Sequence, residues 1–149
     1  MTDILSLVEA GIYSRLATDP RITALVGYHP IETSVLQIYN TQGKSGAVFP
    51  YVMFNYVSGG KVHPTQRQEI MVKYRVNAIA YDAPTARQLF GFISDKLSDA
   101  NLTLGNLWVS YKCSEQEYIS VVQNIEGNQY YWRGALYEIR AILSRDGLP

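Results

Sequence analysis

The sequence predicts an α+β domain, a mostly antiparallel β-sheet packed on one side by two α-helices. Three observations predict it. Segments of helical and of strand spacing follow one another as helix, strands, helix, strands, an order that suits such a sheet. Residues 69–81 alternate with a period of two, setting Ile70, Val72, Tyr74, Val76, Ala78 and Ala80 against Lys73, Arg75 and Asn77. Ala86, Leu89, Phe90, Ile93 and Leu97 then form a helical stripe.

The elements can be justified in order. Leu5, Val8, Ile12 and Leu16 share one helical face, with Thr2 or Asp3 available to cap its start. Asp19-Pro20 restarts the chain, because proline at the first helical position leaves no amide unpaired; residues 20–26 read as a short helix or turn stopped at Gly27. Residues 28–47 read as irregular, with a short strand over 35–39 and a polar surface loop through Thr41, Gln42, Gly43, Lys44, Ser45 and Gly46. Residues 51–57 are nearly all apolar, aromatic or β-branched, which predicts a strand covered on both faces and ended by Ser58-Gly59-Gly60.

That strand and the alternating one after it should form a hairpin with a long tip over residues 58–68. Asp82 and Pro84 open the second helix, which ends in the polar run Ser98, Asp99 and Asn101. The last third reads as β again: Leu107, Val109, Tyr111 and Cys113 alternate, residues 118–122 follow, and Glu126-Gly127-Asn128 turns into a long strand over 130–143. In that strand Tyr137, Ile139, Ala141 and Leu143 face one way, Glu138 and Arg140 the other.

The chain has 149 residues, a common size for one domain, so residues 1–149 are read as a single domain without a linker. Lys plus Arg number 13 and Asp plus Glu 13, which leaves no positive field to hold free nucleic acid by counterion release. No apolar run approaches the roughly 20 residues that span a bilayer, and no signal peptide is apparent, so the expected site of synthesis is the cytoplasm and no membrane partner is expected. The 12 Tyr suit half-buried surfaces and interfaces.

Signals of chemistry are weak. Gly43-Lys44-Ser45 resembles the end of a phosphate-binding loop, but the glycine required five positions earlier is Ile38. His29 and His63 each adjoin proline with no ligand neighbour at metal spacing, and both read as surface residues. Cys113 is the only cysteine, which excludes an internal disulfide, and it reads as a small apolar residue on a strand. Glu115 and Glu117 read as the solvated face of a strand and not as a catalytic pair. No catalytic residue, cofactor or metal ligand is assigned, and the chain reads as a non-enzyme. The basic residues Lys61, Arg67, Lys73 and Arg75 cluster on the hairpin, as a solvated face or as a contact with an acidic protein surface.

In order and spacing, several segments resemble the tail terminator, or tail completion, family of long-tailed bacteriophages. They are Ile12-Tyr13-Ser14-Arg15-Leu16, Leu25-Val26-Gly27, Phe49-Pro50-Tyr51-Val52 with Ser58-Gly59, residues 72–80 leading into 86–97, and the long strand over 130–143. The chain departs from the family pattern where residues 28–36 intervene before Ile38-Tyr39, and where Ile79 replaces a usual aromatic. The resemblance implies a virion protein at the head-proximal end of the tail. Its implied form is a homohexameric ring that caps the tail tube, ends tube polymerisation and offers a docking surface to the head-to-tail connector or neck protein, with DNA passing the lumen. On this basis Lys61, His63, Gln66 and Arg67 are the candidate tail-tube contacts, and Lys73, Arg75, Arg133 and Arg140 the candidates for subunit interface or lumen. The alternatives are a neck or head-closure adaptor and, from a different class, a small-molecule-binding α+β domain.

Overall fold

In the computed structural model, which describes residues 3–61, 69–106 and 108–143, the chain opens with helix α1 (Ile4–Ala17). It buries Val8, Ile12 and Leu16, the face marked by the sequence spacing. Asp3 holds the N-cap position without the expected side-chain bond; only its carbonyl takes part, accepting from the Leu7 amide. Helix α2 (Pro20–Val26) is capped as expected, the Asp19 carboxylate accepting from the Arg21 amide at 2.8 Å. Gly27 ends it at φ 63°, a left-handed conformation that glycine adopts without strain.

Strand β1 (Ile38–Asn40) starts three residues later than the strand expected over 35–39, because residue 36 instead bridges back to Tyr28. It pairs in parallel with β2 (Tyr51–Lys61). Two expectations for β2 are overturned. It is covered on one face only, with Val52 and Phe54 buried and Tyr51, Met53 and Asn55 half-buried between them. Nor does Ser58-Gly59-Gly60 end it: a bulge between Tyr56 and Ser58 absorbs one residue, and the ladder continues to Lys61. Gly59 permits this, since a Cβ there would stand 2.6 Å from the Met71 carbonyl oxygen. The hairpin tip is therefore shorter than expected at its start, and residues 62–68 lie outside the described residues.

Strand β3 (Glu69–Ala80) buries the six alternate residues predicted for it and leads into helix α3 (Ala83–Leu97). The Asp82 carboxylate caps α3, accepting from the Thr85 amide at 2.9 Å. Four strands follow: β4 (Asn101–Leu104), β5 (Trp108–Lys112), β6 (Ser114–Ile125) and β7 (Asn128–Leu143). Here too the structure corrects the sequence reading. The polar run after α3 leads at once into β4, and in β5 the phase is inverted, with Val109 and Tyr111 exposed and Ser110 buried. Cys113 is not on a strand but between β5 and β6, where its amide donates to the Ala100 carbonyl at 2.8 Å.

The strands form one sheet in the order β1-β2-β3-β7-β5-β4, with β6 also on β7. Strand β7 is the spine. One edge pairs with β3 along its length; the other pairs with β6 up to Glu138 and with β5 over Ala141 to Leu143. The inward residues of β2, β3 and β7 share one hydrophobic cluster with α1, α2 and α3, so α2 joins the two expected helices on the same side.

Candidate assembly surfaces

Opposite the helices the sheet has a second face, buried at Asn77, Ile79, Gly134 and Leu136, half-buried around Lys73, Arg75 and Glu138, and exposed at Arg140. By register, Lys73 and Arg75 of β3 and Glu138 and Arg140 of β7 belong to it, as do Glu69 and Ile142. Its charges are interleaved. Arg140 Nε stands 3.0 Å from Glu138 and its Nη1 4.0 Å from Glu69; Arg75 Nη2 stands 3.9 Å from Glu117, and Lys73 is the register partner of Glu138. A contact with an acidic surface therefore has no unbroken basic patch to use here. Asn77, read as an outward residue, is buried on this face opposite Gly134, whose missing side chain leaves room for it.

Three of the four residues expected at interface or lumen thus share this second face. Arg133 does not. It pairs with Ala78 and Ser120 on the helix side, donating to the Ser120 hydroxyl at 3.3 Å. There it borders an open depression of about 360 Å³ formed with Phe90, Tyr118 and Ile119. Lys61 stands exposed at the end of β2, and His63, Gln66 and Arg67 lie outside the described residues.

Two residues read as solvated are structural. Glu115 accepts from Ser94 Oγ at 2.6 Å, from the Tyr137 hydroxyl at 2.6 Å and from the Tyr118 hydroxyl at 2.7 Å. Burial pushes its carboxyl up, but the three hydroxyl bonds outweigh burial and hold it below the usual range. His29 is buried: Nδ1 accepts from the amides of Ile31 and Glu32, which leaves the Nε2 proton to donate to the Ser45 carbonyl at 2.9 Å. It holds the loop that carries Lys44, whose ammonium pairs with Glu32 at 2.6 Å, so both groups serve a loop anchor. No sequence pattern marks His29 for burial; its partners are backbone groups.

Among the described residues, no group of three His, Cys, Asp or Glu side chains could hold a metal ion, and no helix is long and apolar enough to cross a membrane. What the surface offers is strand edge and sheet face. Among the described residues, strand β6 pairs only with β7, exposes Tyr118, Val121, Val122 and Ile125, and has no strand outside it. An edge of this kind is a template for pairing with another chain, as in proteins that act by assembly.

Comparison with known proteins defines that class. The family model of tail completion protein gp17 matches residues 10–122, well over half of the chain, and the chain belongs to this family. It is a structural protein of the phage virion tail. No curated protein matches. A chain in the solved "Virion of native gene transfer agent (GTA) particle" has the same fold, with a TM-score of 0.73 at 15% identity over 95% of this chain and 99% of that one.

Proposed function

We propose that this chain forms a homohexameric ring that caps the finished tail tube, ends tube polymerisation and offers the surface to which the head-to-tail connector docks. The observation that carries the reading is the family match over residues 10–122. The charged part of the second sheet face supports it. Lys73, Arg75 and Arg140, set among Glu69, Glu117 and Glu138, give a mixed surface that would let DNA pass without holding its phosphates. In this reading these residues line the lumen or a subunit interface, Arg133 lies at an interface on the helix side, and Lys61 with the tip beyond it contacts the tube. As a structural part the chain needs no catalytic group or cofactor.

The tip is tested by replacing residues 62–67 with a short Gly-Ser link. The variant should melt cooperatively like the wild type but leave tail tubes growing past their normal length. Capping at normal efficiency would remove the tube contact, and capture of connector protein in preference to tube protein by the wild type would favour the neck adaptor instead.

A further inference from the structure

We infer that neighbouring copies join by sheet continuation: residues 118–125 of β6 in one copy pair antiparallel with residues 55–61 of β2 in the next. The inference rests on the ring reading above and names the contact that would build the ring. It starts from what β6 lacks. An exposed strand edge is a template for pairing, and stable monomers blunt it with charged side chains, proline or a covering element. Residues 118–125 contain no charged residue and no proline. They leave Tyr118 69%, Val122 56% and Ile125 49% exposed, on both faces of the strand. Such a stretch is built to be covered.

The matching edge is on the far side of the same sheet. Strand β1 pairs with β2 only from Val52 to Phe54, and among the described residues no strand pairs with the outer edge of β2 beyond that point. Residues 55–60 are uncharged, and Tyr56 and Val57 are 43% and 44% exposed. One copy cannot bring the two edges together, because β3 and β7 stand between them.

Direction and level both fit a second copy. Strands β2, β3, β7 and β6 alternate in direction, so β6 runs opposite to β2, and a neighbour in the same orientation presents its β2 antiparallel to β6. Two different edges make a head-to-tail contact, the kind that closes a ring, whereas β6 against β6 would stop at a dimer. The edges are also staggered. The β6 stretch lies beside residues 128–135 of β7, while the β2 stretch is level with residues 136–141. Neighbours would be shifted along the strands, and a closed ring with such a stagger inclines its strands to the axis, as a barrel does.

Two paired variants test this: V121K/I125K on the β6 edge and V57K/G60K on the β2 edge. All four positions are exposed, and a Cβ at Gly60 meets nothing within 4 Å. Light scattering should give the full ring mass for the wild type, monomer for each variant alone, and dimer for their equimolar mixture, because each partner keeps one working edge. Independently of folding in the variants, hydrogen exchange in the wild type should slow over 55–61 and 118–125 on assembly. A ring from either variant alone, a β6-to-β6 dimer of the β2 variant, or unchanged exchange in both stretches would overturn the inference and leave the ring standing. A wild type that is monomeric at every concentration, with and without tube protein, would overturn the ring reading and this contact with it.

Discussion

The Tyr137 hydroxyl donates to Glu115 Oε2 at 2.6 Å, and through that carboxylate β7, β6 and α3 are tied at one point, since Ser94 and Tyr118 donate to the same group. Tyr137 is almost fully buried, and burial followed by the bond to Glu115 drives its hydroxyl pKa far up, so it stays a donor. Tyr137→Phe should cost about 1–2 kcal/mol by chemical denaturation. A variant as stable as the wild type would remove this tie from the account.

Glu115 also makes stability depend on pH. Its folded pKa lies below the ordinary 4.5 of the unfolded chain, so its contribution is complete above that value and is lost as pH falls through the folded pKa. Glu138 and Asp19, held down chiefly by hydrogen bonds from Gln116 and Arg21, add losses in the same direction. Between about pH 6 and about pH 3 the unfolding free energy of Glu115→Gln should fall less steeply than that of the wild type. Parallel curves would contradict the assignment.

Gly134 and Asn77 face each other across the β3–β7 ladder, and a methyl group on Gly134 would press on the Asn77 side chain and the Val76 carbonyl, well inside 3.0 Å. The Val76 carbonyl belongs to the ladder backbone and cannot swing aside, and the Asn77 side chain would have to turn within a buried site. Gly134→Ala should therefore destabilise the chain by about 1–3 kcal/mol, read as a lower denaturant midpoint. A neutral result would mean that the ladder yields more easily than its packing indicates.

Cys113 is 1% exposed, and burial pushes its thiol up to about 11. The thiolate is the reactive form, so at pH about 8 the native protein should resist iodoacetamide while the unfolded protein reacts at once. Rapid labelling of the native chain would show that the segment between β5 and β6 opens readily.

The sequence was legible where burial follows one period. The alternation of β3 and the faces of α1 and α3 could be read directly, because Tyr74, Ile12 and Ile93 sit in the cluster that their spacing implies. It was illegible where an edge or a loop sets the rule. Val109 and Tyr111 are apolar yet exposed, since β5 carries Ser110 on its buried side, and β6 is longer than its pattern suggests because it shows apolar residues on both faces. Asn77 and His29 are polar and buried, one allowed by a glycine across the ladder and the other held by backbone groups. Of the candidate interface or lumen residues, Lys73, Arg75 and Arg140 share one face, whereas the register puts Arg133 on the other.

The most direct test of the central claim is native mass spectrometry of the wild-type chain, alone and mixed with tail-tube protein, with tube length followed by negative-stain imaging. The account predicts a species of six copies, free or on the tube end, and tubes that stop growing when it is present. A chain that stays a single copy in both conditions while tubes elongate unchanged would contradict it.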